Sequence, residues 1–216
     1  MNIVLNIIND ISKINGRKTK LFRDIARSYK KEISVLDINT IYTICEQLLD
    51  TKKHGETIIA YQLIYDVKDK YNEDTFDVFE KWLNVYIEDW WDCDDFMTHA
   101  FQFVLMKYPK NLGKIKAWVY SSNFAVRRSA AVVLIRPAQK GLISEKQIFL
   151  ICDLLMDDGH YLVQKGYGWL LKESCKEYHD SVVRYLVANQ NKMTRTAFRY
   201  ALEKLSEFEK EGLMRL

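Results

Sequence analysis

The chain has 216 residues, 48% of them hydrophobic, and a formal net charge of +3. That length can bury a sizeable core, and so small a charge means that any polyanion would have to be met by a local cluster of Lys and Arg. Cys45, Cys93, Cys152 and Cys175 are scattered without a Cys-x-x-Cys pair, which argues against a zinc site and a disulfide framework and for reduced, structural thiols in a cytoplasmic protein.

Two prolines and eight glycines give little turn punctuation, so the long apolar-periodic runs read as nearly all helix joined by short loops. The apolar N-terminus is broken by Asn2, Asn6, Asn9 and Asp10 before it could serve as a signal or a membrane span. It reads instead as an amphipathic helix with the stripe Ile3, Val4, Ile7, Ile8, Ile11 and Ile14, closed by Asn15-Gly16. A basic second helix runs from Thr19 to Lys31, and further stripes begin at Ile38, Ile58 and Phe76. The last of these runs up to two adjacent tryptophans.

Beyond them a helix is expected from Phe96 to Tyr108, then one through Leu112 and Val119. Ser121-Ser122-Asn123 starts the next, and Pro137 is expected to stop it. Ser144 with Gln147 forms a capping-box pattern. Three final helices are expected over Tyr161–Glu173, Tyr178–Val187 and Thr194–Phe208. Twelve helices taken in consecutive pairs give repeats in the length range of helical-hairpin solenoids, with a compact all-helical bundle as the alternative.

Glu88-Asp89-Trp90-Trp91-Asp92-Cys93-Asp94-Asp95 puts two indoles among five carboxylates in eight residues, a costly stretch for any core. Asp92 reads as an N-cap, with Asp95 one turn after Trp91. Arg127 and Arg128 lie in the first turns of a helix, where cations oppose the macrodipole, so either an anion binds there or each Arg pairs with an Asp. In Gln164-Lys165-Gly166-Tyr167-Gly168-Trp169 two glycines interrupt a helix interior at a cost of about 1 kcal/mol each. Tight helix packing and ligand contact both account for that. Lys165, Lys172, Arg195 and Arg199 continue the basic character.

Three pieces carry a resemblance: Trp90-Trp91-Asp92-x-x-Asp95, Asn123-x-x-Val126-x-Arg128-x-Ala130, and Val163-Gln164-Lys165-x-x-Gly168-Trp169-x-Leu171-x-Glu173. Together, over residues 17–205, the chain resembles the bacterial DNA alkylation-repair glycosylases with HEAT-like repeats (AlkD-like). The resemblance implies a single domain over 1–216, all-α, a right-handed superhelical array of about six antiparallel hairpins. It implies a cleft of Trp91, Asp95, Arg128 and Trp169 that hydrolyses the N-glycosidic bond of cationic N3- or N7-alkylpurines. Trp90, Arg127, Arg128, Lys165, Lys172, Arg195 and Arg199 would then contact duplex DNA, mainly its phosphates, with no metal, no cofactor and a monomeric protein. The family has two helices ahead of the one bearing Arg23 and Arg27, where this sequence has one. A DNA-clasping helix is therefore expected to be missing and excision to be weak or lost, with a non-catalytic DNA-binding or protein scaffold as the alternative.

Overall fold

In the computed structural model, which describes residues 3–16 and 18–215, the chain is helical with no strand among the described residues. Asn2 and Arg17 lie outside that description. The chain divides into two compact units, one formed by the chain up to Ile87 together with residues 99–104, the other by residues 88–98 and the chain from Leu105 onward.

The first unit contains α1 (Ile3–Ile11), α2 (Thr19–Ser28), α3 (Lys30–Ser34), α4 (Ile38–Leu49), α5 (His54–Asp66) and α6 (Thr75–Tyr86). Its α5 is buried from Gly55 to Ile64 and packs on both α2 and α4. The core is aromatic. Phe79 stacks on Trp82 at 5.3 Å and meets Tyr71 and Phe101 edge-on, while the Trp82 indole N–H donates to Glu46 at 2.9 Å, giving the buried ring its polar partner. The basic helix anticipated over Thr19–Lys31 is two pieces: α2 stops at Ser28, and α3 begins after Tyr29, whose hydroxyl donates to Asp10 at 2.7 Å.

The second unit opens with α7 (Trp90–Phe96) and includes part of the π turn Met97–Phe101. It resumes in the last turn of α8 (Gln102–Lys107) and continues through the 3-10 segment Pro109–Tyr120, α9 (Phe124–Val132), α10 (Ile135–Gln139), α11 (Glu145–Leu155), α12 (Tyr161–Asn189), α13 (Arg195–Ala201) and α14 (Glu207–Arg215). The helix expected from Phe96 is thus reset by a π turn, a local widening often found near functional sites. Pro137 does not end α9. It is the third residue of α10, where backbone N–H groups have no intrahelical acceptor and a missing donor costs nothing.

Two of the three final helices join. α12 continues through a single non-helical residue, Tyr178 (φ −125°, ψ 40°), whose hydroxyl donates to the Ile143 carbonyl at 2.6 Å. The segment after Thr194 divides into α13 and α14. α9 lies at the centre of the unit, with Ala125, Val126 and Ser129–Val132 buried. Its small residues let the 3-10 segment, α7, α11 and α12 pack against it. All four cysteines are buried free thiols.

Candidate nucleic-acid cleft

Asp89, not Asp92, caps α7. Its carboxylate accepts from the Trp90 amide at 2.7 Å, and Asp92, three residues on, accepts from the amides of Asp89 and Glu88 at 3.0 Å each, completing a capping box. Asp92 also accepts from the Cys93 amide at 2.7 Å. Its burial outweighs these bonds and pushes the carboxyl pKa up to about 6. Because α7 starts three residues earlier than expected, both tryptophans lie inside the helix. Trp90 and Asp94, four apart, share one face; Trp91 and Asp95 share the next.

From α9 the two arginines diverge. Arg127 donates from Nε to Asp158 at 2.5 Å and from Nη1 to the carbonyls of Ser121 and Ser122 at 2.8 and 3.1 Å. Those bonds hold Asp158 below the usual carboxylate range, against its burial. Of the two readings open in the sequence, pairing with an Asp is what the structure has for Arg127, which is spent on loop structure and does not line the cleft.

Arg128 turns the other way. Its Nε and Nη2 donate to Oδ1 and Oδ2 of Asp94, both at 2.8 Å, and its Nη1 donates to the Leu162 carbonyl of α12. The pair is well buried, with side-chain exposures of 7% for Arg128 and 20% for Asp94. Burial opposes the guanidinium charge, but the bonds and charge of Asp94 more than offset it.

Both glycines of α12 answer to close approach. A Cβ on Gly166 would sit 3.2 Å from Cγ of Arg128, and one on Gly168 would sit 2.7 Å from the Ala197 carbonyl oxygen of α13. Gly166 therefore makes room for the arginine and Gly168 for a helix. Beside them Trp169 is half-buried, and it is among the groups that hold the Glu173 carboxyl below its ordinary value, after Lys204 and Gln139 and against its burial. Glu173 is buried and held in turn by Lys204 at 2.5 Å and by Gln139.

These elements enclose a cleft of about 390 Å³ whose walls include Trp90, Asp94, Arg128, Tyr161, Lys165 and Trp169, with Tyr200 from α13. Trp90 is 48% exposed. The Lys165 ammonium lies over the Tyr161 ring, 5.4 Å from its centroid. The structure thus brings together Trp90, Arg128, Lys165 and Trp169 of the expected site. Trp91 and Asp95, both half-buried, are not among the cleft-lining residues. Lys172 is paired with Glu203 at 2.5 Å, and Arg195 and Arg199 line a different groove, with Phe198 and Met214.

Asp94, Tyr161 and Tyr200 were not anticipated. The signal for Asp94 was available, because Trp90-x-x-x-Asp94 fits the Trp-to-Asp spacing as well as Trp91-x-x-x-Asp95 does. Choosing between them required knowing that Asp89 is the cap.

The model of a family described as "DNA alkylation repair enzyme" matches residues 7–205. The chain belongs to this family. The match begins within α1, earlier than the motif-based resemblance, and contains every residue of the cleft. Among solved structures, one described as a predicted DNA alkylation repair enzyme from Enterococcus faecalis superposes with a TM-score of 0.75 at 15% identity, covering 89% of this chain and 88% of that one. At that identity the likeness establishes the shared all-helical fold. No curated protein matches the chain. No described helix is long and apolar enough to cross a membrane.

Proposed function

We propose that this member of the DNA alkylation repair family binds duplex DNA as a monomer at the cleft of its second unit, and there hydrolyses the N-glycosidic bond of cationic N3- or N7-alkylpurines. The observation that carries the reading is the Asp94–Arg128 pair lining one cleft with Trp90 and Trp169.

The chemistry suits these groups. Cleavage sends the bonding pair to the alkylated base, which leaves neutral, and puts positive charge on the deoxyribose. A fixed carboxylate stabilises that charge, and water then adds to the anomeric carbon with loss of a proton. Asp94 is assigned this part in preference to Asp95, since Asp94 lines the cleft and Arg128 fixes both its oxygens. Indole faces attract the cationic base and pack on sugar C–H bonds. Lys165 meets a flanking phosphate, so that the duplex is held by its backbone.

A second reading, a DNA-binding protein without excision, is favoured by one observation. The carboxylate is already neutralised by a bidentate partner, which blunts its field on a developing cation. Single-turnover release of N7-methylguanine and N3-methyladenine from alkylated duplex DNA separates the two. Release above the spontaneous rate supports the hydrolase; binding of the same duplex without release supports the second reading.

A further inference from the structure

From Ser181 to Leu202 the chain has no Asp or Glu and carries Arg184, Lys192, Arg195 and Arg199, in a protein where 29 acids otherwise nearly balance 32 bases. Arg195 and Arg199 stand one turn apart on the exposed side of α13. Neither makes a hydrogen bond or an ion pair among the described residues. The acids that follow are all engaged elsewhere: Glu203 with Lys172, Glu207 with Lys210, Glu211 with Arg215, and Glu209 with the amide and hydroxyl of Ser206. The two guanidiniums are left as unmatched charge.

Beside them lies a groove of about 180 Å³, formed by α13, α14 and the turn that follows α12. Its apolar lining is Met193, Phe198, Leu213 and Met214; the first three are buried, and Met214 is 44% exposed. An apolar cavity of about 150 Å³ takes a benzene ring, so this groove has room for one Phe or Leu side chain. Methionine adapts its shape to such a guest. None of the residues that line the groove lines the cleft.

We propose that this groove docks an acidic segment of a partner protein, with one apolar side chain of the segment filling the space and carboxylates on either side of it meeting Arg195 and Arg199. Charge complementarity selects the occupant. Planar, weakly hydrated guanidiniums suit carboxylates, and Arg, Met and aromatic residues around a small apolar pocket are the composition of a protein-binding anchor point. Nucleic acid would satisfy the arginines with phosphate but brings no apolar side chain for the groove. A second copy of the chain is a poorer guest, because the acids of its α14 already have partners. The proposal does not depend on the reaction at the cleft.

The test is fluorescence polarisation of a short fluorescein-labelled peptide with one Phe between runs of Asp and Glu, titrated with the full chain. The wild-type chain should bind it, and Arg195→Gln/Arg199→Gln should weaken binding about five- to tenfold, the worth of two solvent-exposed ion pairs. A control of equal charge change at exposed positions elsewhere, Lys146→Gln/Lys176→Gln, should stay within about twofold of wild type. Replacing the Phe of the peptide by Ser should cost about tenfold or more, because the ring no longer fills the groove. No binding by the folded wild-type chain overturns the proposal. So does equal loss in both variants, which reduces the effect to bulk charge, and so does an unchanged affinity for the Ser peptide, which leaves a charged surface without a pocket. Two further readouts identify other occupants. Weaker binding of an undamaged duplex by Arg195→Gln/Arg199→Gln, with peptide affinity unchanged, assigns the arginines to DNA; a wild-type dimer in sedimentation that this variant loses assigns the groove to a second copy. Either result overturns the proposal.

Discussion

Asp94 and Arg128, 34 residues apart, meet through two parallel hydrogen bonds of 2.8 Å, one to each carboxylate oxygen. The same guanidinium donates to the Leu162 carbonyl, so one buried side chain ties α7, α9 and α12 together at the cleft. Stability and site geometry depend on the same contact.

Removing one partner leaves an uncompensated charge in a poorly solvated place, typically a loss of about 3 kcal/mol or more. Arg128→Met should lower the melting temperature by roughly 6 to 12 °C on that basis. Asp94→Leu/Arg128→Met should lose less than the two single variants combined, because the second change removes the stranded charge. Calorimetric melts of the four proteins measure this directly, and strict additivity would show that the pair is not coupled.

The two glycines of α12 should respond differently to alanine. At Gly168 the new methyl meets a backbone carbonyl at 2.7 Å, which has to move with its helix. Overpacking of this kind costs about 1 to 3 kcal/mol, more than the helix propensity gained. At Gly166 the neighbour is the flexible stem of Arg128 at 3.2 Å, so Gly166→Ala should melt near wild type, the stem giving by a few tenths of an ångström with its bonds to Asp94 kept. Chemical denaturation should rank Gly168→Ala well below Gly166→Ala.

Asp92 sets a pH dependence of its own. Its folded pKa of about 6 lies above the ordinary value of 3.8, because burial disfavours the charge. The native state therefore keeps a proton that the unfolded chain gives up. The contribution of Asp92 to stability is fully present below about pH 4 and is lost as pH rises through 6, a change of about 3 kcal/mol. Asp158, depressed by Arg127, works in the opposite sense, adding stability at neutral pH that is lost as pH falls through its folded value. Carboxyl-carbon NMR should find Asp92 titrating near pH 6, and the stability gap between wild type and Asp92→Asn should shift against wild type across that window.

Glu173 should act on the cleft through Trp169. Its charge is matched by Lys204, and the indole is a lesser contributor to holding its pKa down. Glu173→Gln keeps the shape but weakens both interactions. The fluorescence difference between otherwise identical proteins with Trp or Phe at position 169 should show a more mobile indole when both also carry Glu173→Gln. An unchanged difference signal would mean that the ring is held by packing alone.

Much of this was legible in the sequence wherever a helix start has a side chain of its own. Asn123, Ser144 with Gln147, and Thr194 all cap the helices expected to follow them. The family was legible because its motifs lie on elements that keep their order. What escaped was set by tertiary contact. Asp92 looks like a cap because it is an Asp before an apolar run, yet the chain enters α7 at Asp89, and that shift moves the cleft-facing set from Trp91 and Asp95 to Trp90 and Asp94. Nothing local to Arg127 and Arg128 says which will pair with Asp158 and which will face the cleft. The π turn at Met97–Phe101 and the 3-10 run at Pro109–Tyr120 use residues that would sit equally well in an α-helix.

The central claim is that Asp94, oriented by Arg128, is the carboxylate that stabilises charge on the sugar. Its most direct test is single-turnover release of N7-methylguanine from alkylated duplex DNA by wild type, Asp94→Asn and Asp95→Asn, each shown to be folded and to bind the duplex. Loss of a preorganised charge should slow release by about a hundredfold or more in Asp94→Asn and leave Asp95→Asn within a few-fold of wild type. The reverse ranking, or release unaffected by Asp94→Asn, would contradict the account.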